Sequence, residues 1–251
     1  MSSIFKIFFL CWIPLSVAGQ TDTYLNAASD LIDAISKGED HQDHLELLTN
    51  SNLESLEAEL DTDAKKYAFW INVYNSFIQI ELRNNPEFYN KRNKFFNREV
   101  IHVGGQMLSF SDVEHGILRR SEWLIGLGYI KNPFPSSFKK KMRPNESDYR
   151  IHFALNCGAK SCPPVAVYDY KRLDEQLQKA TELYLPQYTT YDQADNKVTT
   201  TPLFSWFRGD FSGKKGIKRI LLDLKIIPDE KVKLKFDSYD WSLFLDNFIE
   251  L

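Results

Sequence analysis

The sequence predicts an α+β fold: a single domain with helices around a small, mainly antiparallel sheet. Three observations lead there. Residues 63–83 contain an apolar run from Tyr67 to Ile80 at helical spacing, broken chiefly by amides, which marks a central buried helix. Val100–Val103 and Gln106–Phe110 flank Gly104-Gly105, the signal of a β-hairpin. Lys197–Thr200 and Val232–Phe236 read as further short strands, set among helical stretches.

The chain has 251 residues. Its start reads as a secretory signal peptide over residues 1–19: Lys6, then a mostly apolar run to Val17, then the small-residue site Val17-Ala18-Gly19. Pro14 interrupts that run, which is short for a membrane span, so no stable span is expected after its removal. The expected location is exported, periplasmic or secreted. Residues 20–60 read as an N-terminal helical extension and 61–251 as the main domain. A formal net charge of −3 excludes the basic footprint of a nucleic-acid binder. Two cysteines remain beyond the signal, too few for a disulfide-stapled scaffold, so a hydrophobic core must hold the fold.

Taken in order, Tyr24, Ala28, Leu31, Ile32 and Ile35 share one face of a helix that Gly38 ends. Ser51-Asn52-Leu53-Glu54 fits a capping box for the next one. His41 and His44 between them read as a solvated loop rather than as metal ligands. On the 63–83 helix, Asn72, Asn75 and Gln79 form one polar line. They either bond neighbouring loop backbone or line a site and orient its groups. After the hairpin a helix carries Phe110, Val113, Ile117 and Leu118 inward, with Ser109 or Ser111 as its cap. Residues 131–148, with Pro133, Pro135, Pro144 and Lys139-Lys140-Lys141, read as a long exposed loop. Asp169–Leu185 and Gly216–Leu224 read as helices, and Leu203–Phe207 starts a short aromatic one.

The stretch with most chemistry is Arg150 to Pro164. Ile151, Phe153 and Leu155 alternate with His152, Ala154 and Asn156, the pattern of a strand. Gly158 then permits a turn and Pro163-Pro164 ends it. Cys157 would leave the end of a buried strand, with Cys162 five residues on. Cys157 is the candidate nucleophile, and the amides of Cys157, Gly158 and Ala159 are a candidate oxyanion hole. His115 and His152 compete as its base. On a regular strand His152 would face away from Cys157, which leaves His115 free of that constraint. Glu114, Asn72 or Asn75 could orient the imidazole. Asn75 with Gly158, Ala159 and Lys160 are the candidate ligand-binding residues. Against a free thiol stands a Cys157–Cys162 disulfide, which an oxidising compartment favours. The spacing matches no structural zinc site and there is no glycine-rich phosphate loop, so neither metal nor cofactor is expected.

Three stretches together resemble domain-of-unknown-function family 547. They are Phe69-Trp70-Ile71-Asn72-Val73-Tyr74-Asn75, Asp112-Val113-Glu114-His115-Gly116-Ile117-Leu118-Arg119, and Ile151 through Pro163. The resemblance covers roughly residues 60–212, and it implies a cysteine-peptidase-like or transglutaminase-like architecture. The chain departs from that analogy in one respect. Those enzymes place the nucleophile at the start of a long helix, and here prolines follow Cys162 directly. Two functions follow as expectations. One is a thiol-dependent hydrolase or acyl transferase acting on peptide or amide bonds. The other is a non-catalytic binding module for a peptide or a thiol-containing small molecule, with the two cysteines joined.

Overall fold

The computed structural model describes residues 22–122 and 126–251. The signal-peptide reading of residues 1–19 lies outside them. No helix among the described residues is long and apolar enough to cross a membrane.

Helix α4 (Asp63–Asn84) is the centre of the molecule. Thr62 starts it by accepting the Lys65 amide on Oγ1 at 3.3 Å. Every residue from Tyr67 to Gln79 is buried, as the all-round apolar run predicts. Helix α1 (Thr23–Lys37) packs along it with Leu25, Ala28, Leu31 and Ile35 in the same core. Burial of each such leucine or isoleucine stabilises by about 1.5–3 kcal/mol. The N-terminal helices therefore share one core with the rest. Gly38 closes α1 in the left-handed conformation, φ +70°.

Helices α2 (Gln42–Thr49) and α3 (Leu53–Glu59) follow, with His41 and His44 at the start of α2. The cap of α3 is Asn52, whose Oδ1 accepts the Ser55 amide at 3.0 Å, and not Ser51 as the capping-box pattern implied. Ser51 instead accepts the Gly104 amide at 2.8 Å, tying these helices to the hairpin. That hairpin follows α5 (Arg92–Phe96) and consists of antiparallel β1 (Glu99–Val103) and β2 (Gln106–Ser109). Its turn needs positive φ at both glycines, +63° and +70°.

Two expectations need correction. The 131–148 stretch is not all loop. It contains α6 (Ser137–Met142), pinned by buried Phe138 and Met142, with Phe138 edge-on to Trp70 at 6.2 Å. Only its upstream part is open, and Phe134 is 87% exposed.

The second correction concerns residues 151–156, which form no strand. Tyr149–Phe153 is a 3₁₀ turn capped by Asp148, whose Oδ1 accepts the Arg150 amide at 2.9 Å. A short apolar run fits a buried turn as well as a strand. Here the Asn75 side chain takes the place of a neighbouring strand. Its Nδ2 donates to Ala154 O at 3.0 Å and its Oδ1 accepts the Asn156 amide at 2.9 Å.

Helix α7 (Leu173–Gln187) leads to the second sheet, β3 (Thr190–Asp192), β4 (Lys197–Thr200) and β5 (Lys233–Phe236). β3 and β4 are antiparallel, while β4 and β5 are parallel. Between β4 and β5 come α8 (Leu203–Trp206) and α9 (Gly213–Asp223). Phe153, Tyr184, Phe204, Phe211 and Ile217 form a second core here. The fold is thus α+β, with two small, mostly antiparallel sheets. The last residues then run back over the cysteine turn. Lys160 N donates to Ser242 O at 2.9 Å, Phe244 N to Gly158 O at 2.8 Å and Val165 N to Asn247 O at 2.7 Å.

Candidate functional site

A cleft of about 530 Å³ opens where α4, α5, α8, the cysteine turn and the C-terminal segment meet. Phe96, Phe110, Trp206, Phe207, Tyr239 and Trp241 form its aromatic walls. Trp206 and Trp241 stack at 5.6 Å, and the Arg92 guanidinium lies 4.8 Å over the Trp241 ring. Glu114, His115, His152, Cys157 and Cys162 line the same space.

Glu114 and His115 come from a π-helical turn, Asp112–Leu118, that follows the hairpin. Ser109 is its cap: Ser109 Oγ accepts the Asp112 amide at 3.1 Å and Asp112 Oδ2 accepts the Ser109 amide at 3.0 Å. The turn closes on a bond from Arg119 N to Glu114 O of 2.8 Å, five residues apart. Such wide turns recur at functional sites because they displace side chains from helical register. Glu114 Oε2 accepts the Tyr74 hydroxyl at 3.3 Å. Glu114 Oε1 lies 3.7 Å from His115 Nδ1, too far for a hydrogen bond.

A buried network joins the two histidines. Arg119 grips Asp210 with two bonds, Nε to Oδ2 at 2.7 Å and Nη2 to Oδ1 at 2.9 Å. Its Nη1 lies 2.9 Å from His115 Nδ1. Arginine only donates, so His115 Nδ1 accepts and the neutral ring carries its proton on Nε2. Asp210 Oδ2 also lies 2.8 Å from His152 Nε2. That nitrogen donates, leaving Nδ1 of His152 as the proton acceptor. Phe207 stacks on the His152 ring at 4.1 Å and supports the Arg119 guanidinium at 4.6 Å.

Burial lowers both imidazoles' affinity for a second proton; Glu114 partly opposes this at His115, and Asp210 does so at His152. For Asp210 burial acts upward, but the bonds from Arg119 and His152 outweigh it and hold the carboxyl at about 2. The network is therefore an ion pair flanked by two neutral imidazoles. Gly128, φ +83°, lets a loop close over it; a Cβ there would collide with Asp210 Oδ1.

Cys157 and Cys162 form a disulfide with Cα atoms 6.3 Å apart. Cys162 is 2% exposed, whereas Cys157 is half-buried at the cleft wall. The Cys157 amide donates to Cys162 Sγ at 3.0 Å and the Tyr239 hydroxyl donates to it at 3.2 Å. Among the described residues neither imidazole hydrogen-bonds a sulfur.

Of the residues singled out in the sequence, Glu114, His115, His152 and Cys157 meet in this cleft. Asn72 and Asn75 do not line it. Asn72 bonds both backbone groups of Tyr168, at 2.8 and 2.9 Å, and Asn75 holds the turn before Cys157. Their amides brace loop backbone and reach neither imidazole. Gly158, Ala159 and Lys160 lie beneath the C-terminal segment, and Lys160 is exposed. The proposed oxyanion hole is largely occupied. The Cys157 amide is on Cys162 Sγ, and the Gly158 amide is on Asn156 Oδ1 at 2.8 Å. Sequence reasoning missed Arg119 and Asp210. Arg119 sits at the end of the second quoted stretch, and nothing but the charge of Asp210 in an aromatic segment marked it. Among the described residues no group of three His, Cys, Asp or Glu side chains could hold a metal ion.

Fold and cleft together define an α+β protein with an aromatic-walled site containing a disulfide and a paired-histidine network. Residues 58–185 match the family described as protein of unknown function, DUF547, and the chain belongs to it. No curated protein and no solved structure matches the chain.

Proposed function

We propose that the protein is an exported binding module whose aromatic cleft takes a peptide or a thiol-containing small molecule. The observation that carries this reading is the state of the sulfurs. Cys157 is joined to Cys162 within the cleft wall, and among the described residues neither histidine hydrogen-bonds a sulfur. The remaining lining suits binding: large apolar rings for contact area, with Arg92 and the Nε2–H of His115 as polar anchors. Export into an oxidising compartment would maintain the disulfide.

A second reading, the thiol-dependent hydrolase with Cys157 as nucleophile, draws on one observation. Asp210 fixes the His152 ring so that its proton-accepting nitrogen is defined, and His152 lines the same cleft as Cys157. That reading requires reduction first.

Tryptophan fluorescence tests the binding reading, because Trp206 and Trp241 stack in the cleft wall. Short serine-containing peptides, the isosteres of thiol ligands, should shift the emission saturably in the oxidised protein. Trp241→Leu should weaken that binding. No saturable shift with any peptide, together with amide hydrolysis that appears only after reduction and vanishes in Cys157→Ser, would replace the first reading by the second.

A further inference from the structure

The two sulfurs of the cleft are not equivalent. Cys157 is half-buried and lies at the cavity wall, while Cys162 is 2% exposed. Both polar hydrogens near the pair point at Cys162 Sγ: the Cys157 amide at 3.0 Å and the Tyr239 hydroxyl at 3.2 Å. Tyr239 lies 3.8 Å from Cys157 Sγ, beyond the distance to its partner. The donors are themselves held. Tyr239 packs edge-on against Trp206 at 5.0 Å and tilted against Trp241 at 4.7 Å. The backbone beside it is fixed by Ser161, whose amide donates to Asp240 O at 3.2 Å and whose Oγ accepts the Asp240 amide at 2.9 Å.

A disulfide exchanges when a thiolate attacks one sulfur and the other departs as thiolate. The attacked sulfur must be accessible, and the departing one gains from donors already in place. The cleft supplies access to Cys157 and the donors to Cys162.

We propose that Cys157–Cys162 is an exchange-active disulfide: a thiol ligand bound between the aromatic walls attacks Cys157 Sγ and expels Cys162 Sγ. The inference rests on the binding-cleft reading and adds a reaction to it. In the first step the ligand thiol gives its proton to solvent and forms an S–S bond to Cys157. The Cys157–Cys162 bond breaks, and its electron pair stays on Cys162, where the Tyr239 hydroxyl and the Cys157 amide receive it. Cys162 then takes a proton from solvent. A second equivalent of thiol attacks the ligand sulfur of the mixed disulfide, expels Cys157 and leaves as the ligand disulfide. The ligand is oxidised by two electrons and the protein is reduced by two. Burial keeps the Tyr239 hydroxyl protonated far above neutral pH, so it remains a donor throughout.

The test uses the oxidised mature protein with two probes, reduced glutathione and a longer single-cysteine peptide flanked by aromatic residues. The reaction is quenched in acid at short times and mapped by mass spectrometry. The adduct is expected on Cys157, with Cys162 recovered as a free thiol, for at least one probe. Exchange should outpace that of a small linear disulfide by about tenfold, and Tyr239→Phe, which keeps the ring, should remove roughly that factor. The faster probe identifies the ligand as small thiol or peptide. An adduct on Cys162, or exchange at the rate of the small disulfide in both wild type and Tyr239→Phe, overturns the proposal. Serine analogues that still shift tryptophan fluorescence in that event would leave the binding reading standing. Loss of binding as well would remove both.

Discussion

Asp210 holds His152 through Nε2 at 2.8 Å, and the same carboxylate is gripped twice by Arg119. Two elements far apart in sequence thereby share one buried charge. Removing the carboxylate leaves the Arg119 guanidinium buried without its partner, a loss of about 3–5 kcal/mol for a broken buried pair. Asp210→Ala should therefore lower the urea midpoint sharply. Asp210→Asn keeps one acceptor and should cost less. Equal stability of wild type and Asp210→Ala would show that water replaces the pair.

The same network sets a pH dependence with a definite sign. The Asp210 carboxyl sits at about 2 in the folded chain, below its unfolded value of roughly 3.9. Its contribution is present above the unfolded value and is lost as pH falls through about 2. Wild type should lose more stability than Asp210→Asn across that window. His152 titrates lower when folded than its ordinary value of roughly 6.5, because burial opposes its charge. Its contribution is likewise lost as pH falls below that value. Urea unfolding of His152→Gln should thus be flatter than wild type just below neutrality. A steeper curve for His152→Gln would reverse the sign assigned here.

The chain's own sequence made some of this legible and hid the rest for physical reasons. Helix α4 announced itself because an apolar run at helical spacing has one economical burial. The hairpin did so because Gly104-Gly105 suits positive φ. The 3₁₀ turn at Tyr149–Phe153 was hidden, since its periodicity is that of a strand and its backbone partners come from the Asn75 side chain. The cleft residues Glu114, His115, His152 and Cys157 stood out by chemical type. Arg119 and Asp210 did not, because their pairing spans 91 residues and only the fold creates it.

Asn75 shows how a polar side chain in a core can be structural. It pairs Ala154 O and the Asn156 amide, both otherwise without a strand neighbour. Leaving each buried group unpaired costs about 1–3 kcal/mol. Asn75→Ala should cost roughly 2–6 kcal/mol by that measure. Asn75→Asp should also destabilise, since a carboxylate cannot donate to Ala154 O. Thermal unfolding checks both. If Asn75→Ala were neutral, water would have to satisfy both backbone groups.

Limited proteolysis separates the two parts of the 131–148 stretch. Tyr129 is 60% exposed, Phe134 is 87% exposed, and Pro133 and Pro135 keep the surrounding backbone out of regular structure. Downstream, α6 is anchored by Phe138 and Met142, and Lys139 Nζ pairs with Asp112 Oδ1 at the cap of the π-helical turn. A protease needs an extended, locally unfolded segment, so the upstream part should be cut first. Chymotrypsin should nick the native protein after Tyr129, just upstream of the stretch, before any site in α6 or α4, because Pro135 protects the bond after Phe134. Phe138→Ala removes the ring that meets Trp70 at 6.2 Å, and it should open the bonds after Lys139, Lys140 and Lys141 to early cleavage by trypsin. If first cuts fall within α6 in wild type, that helix is not anchored as described. If Phe138→Ala leaves the pattern unchanged, the anchor is Met142 and the Lys139–Asp112 pair instead.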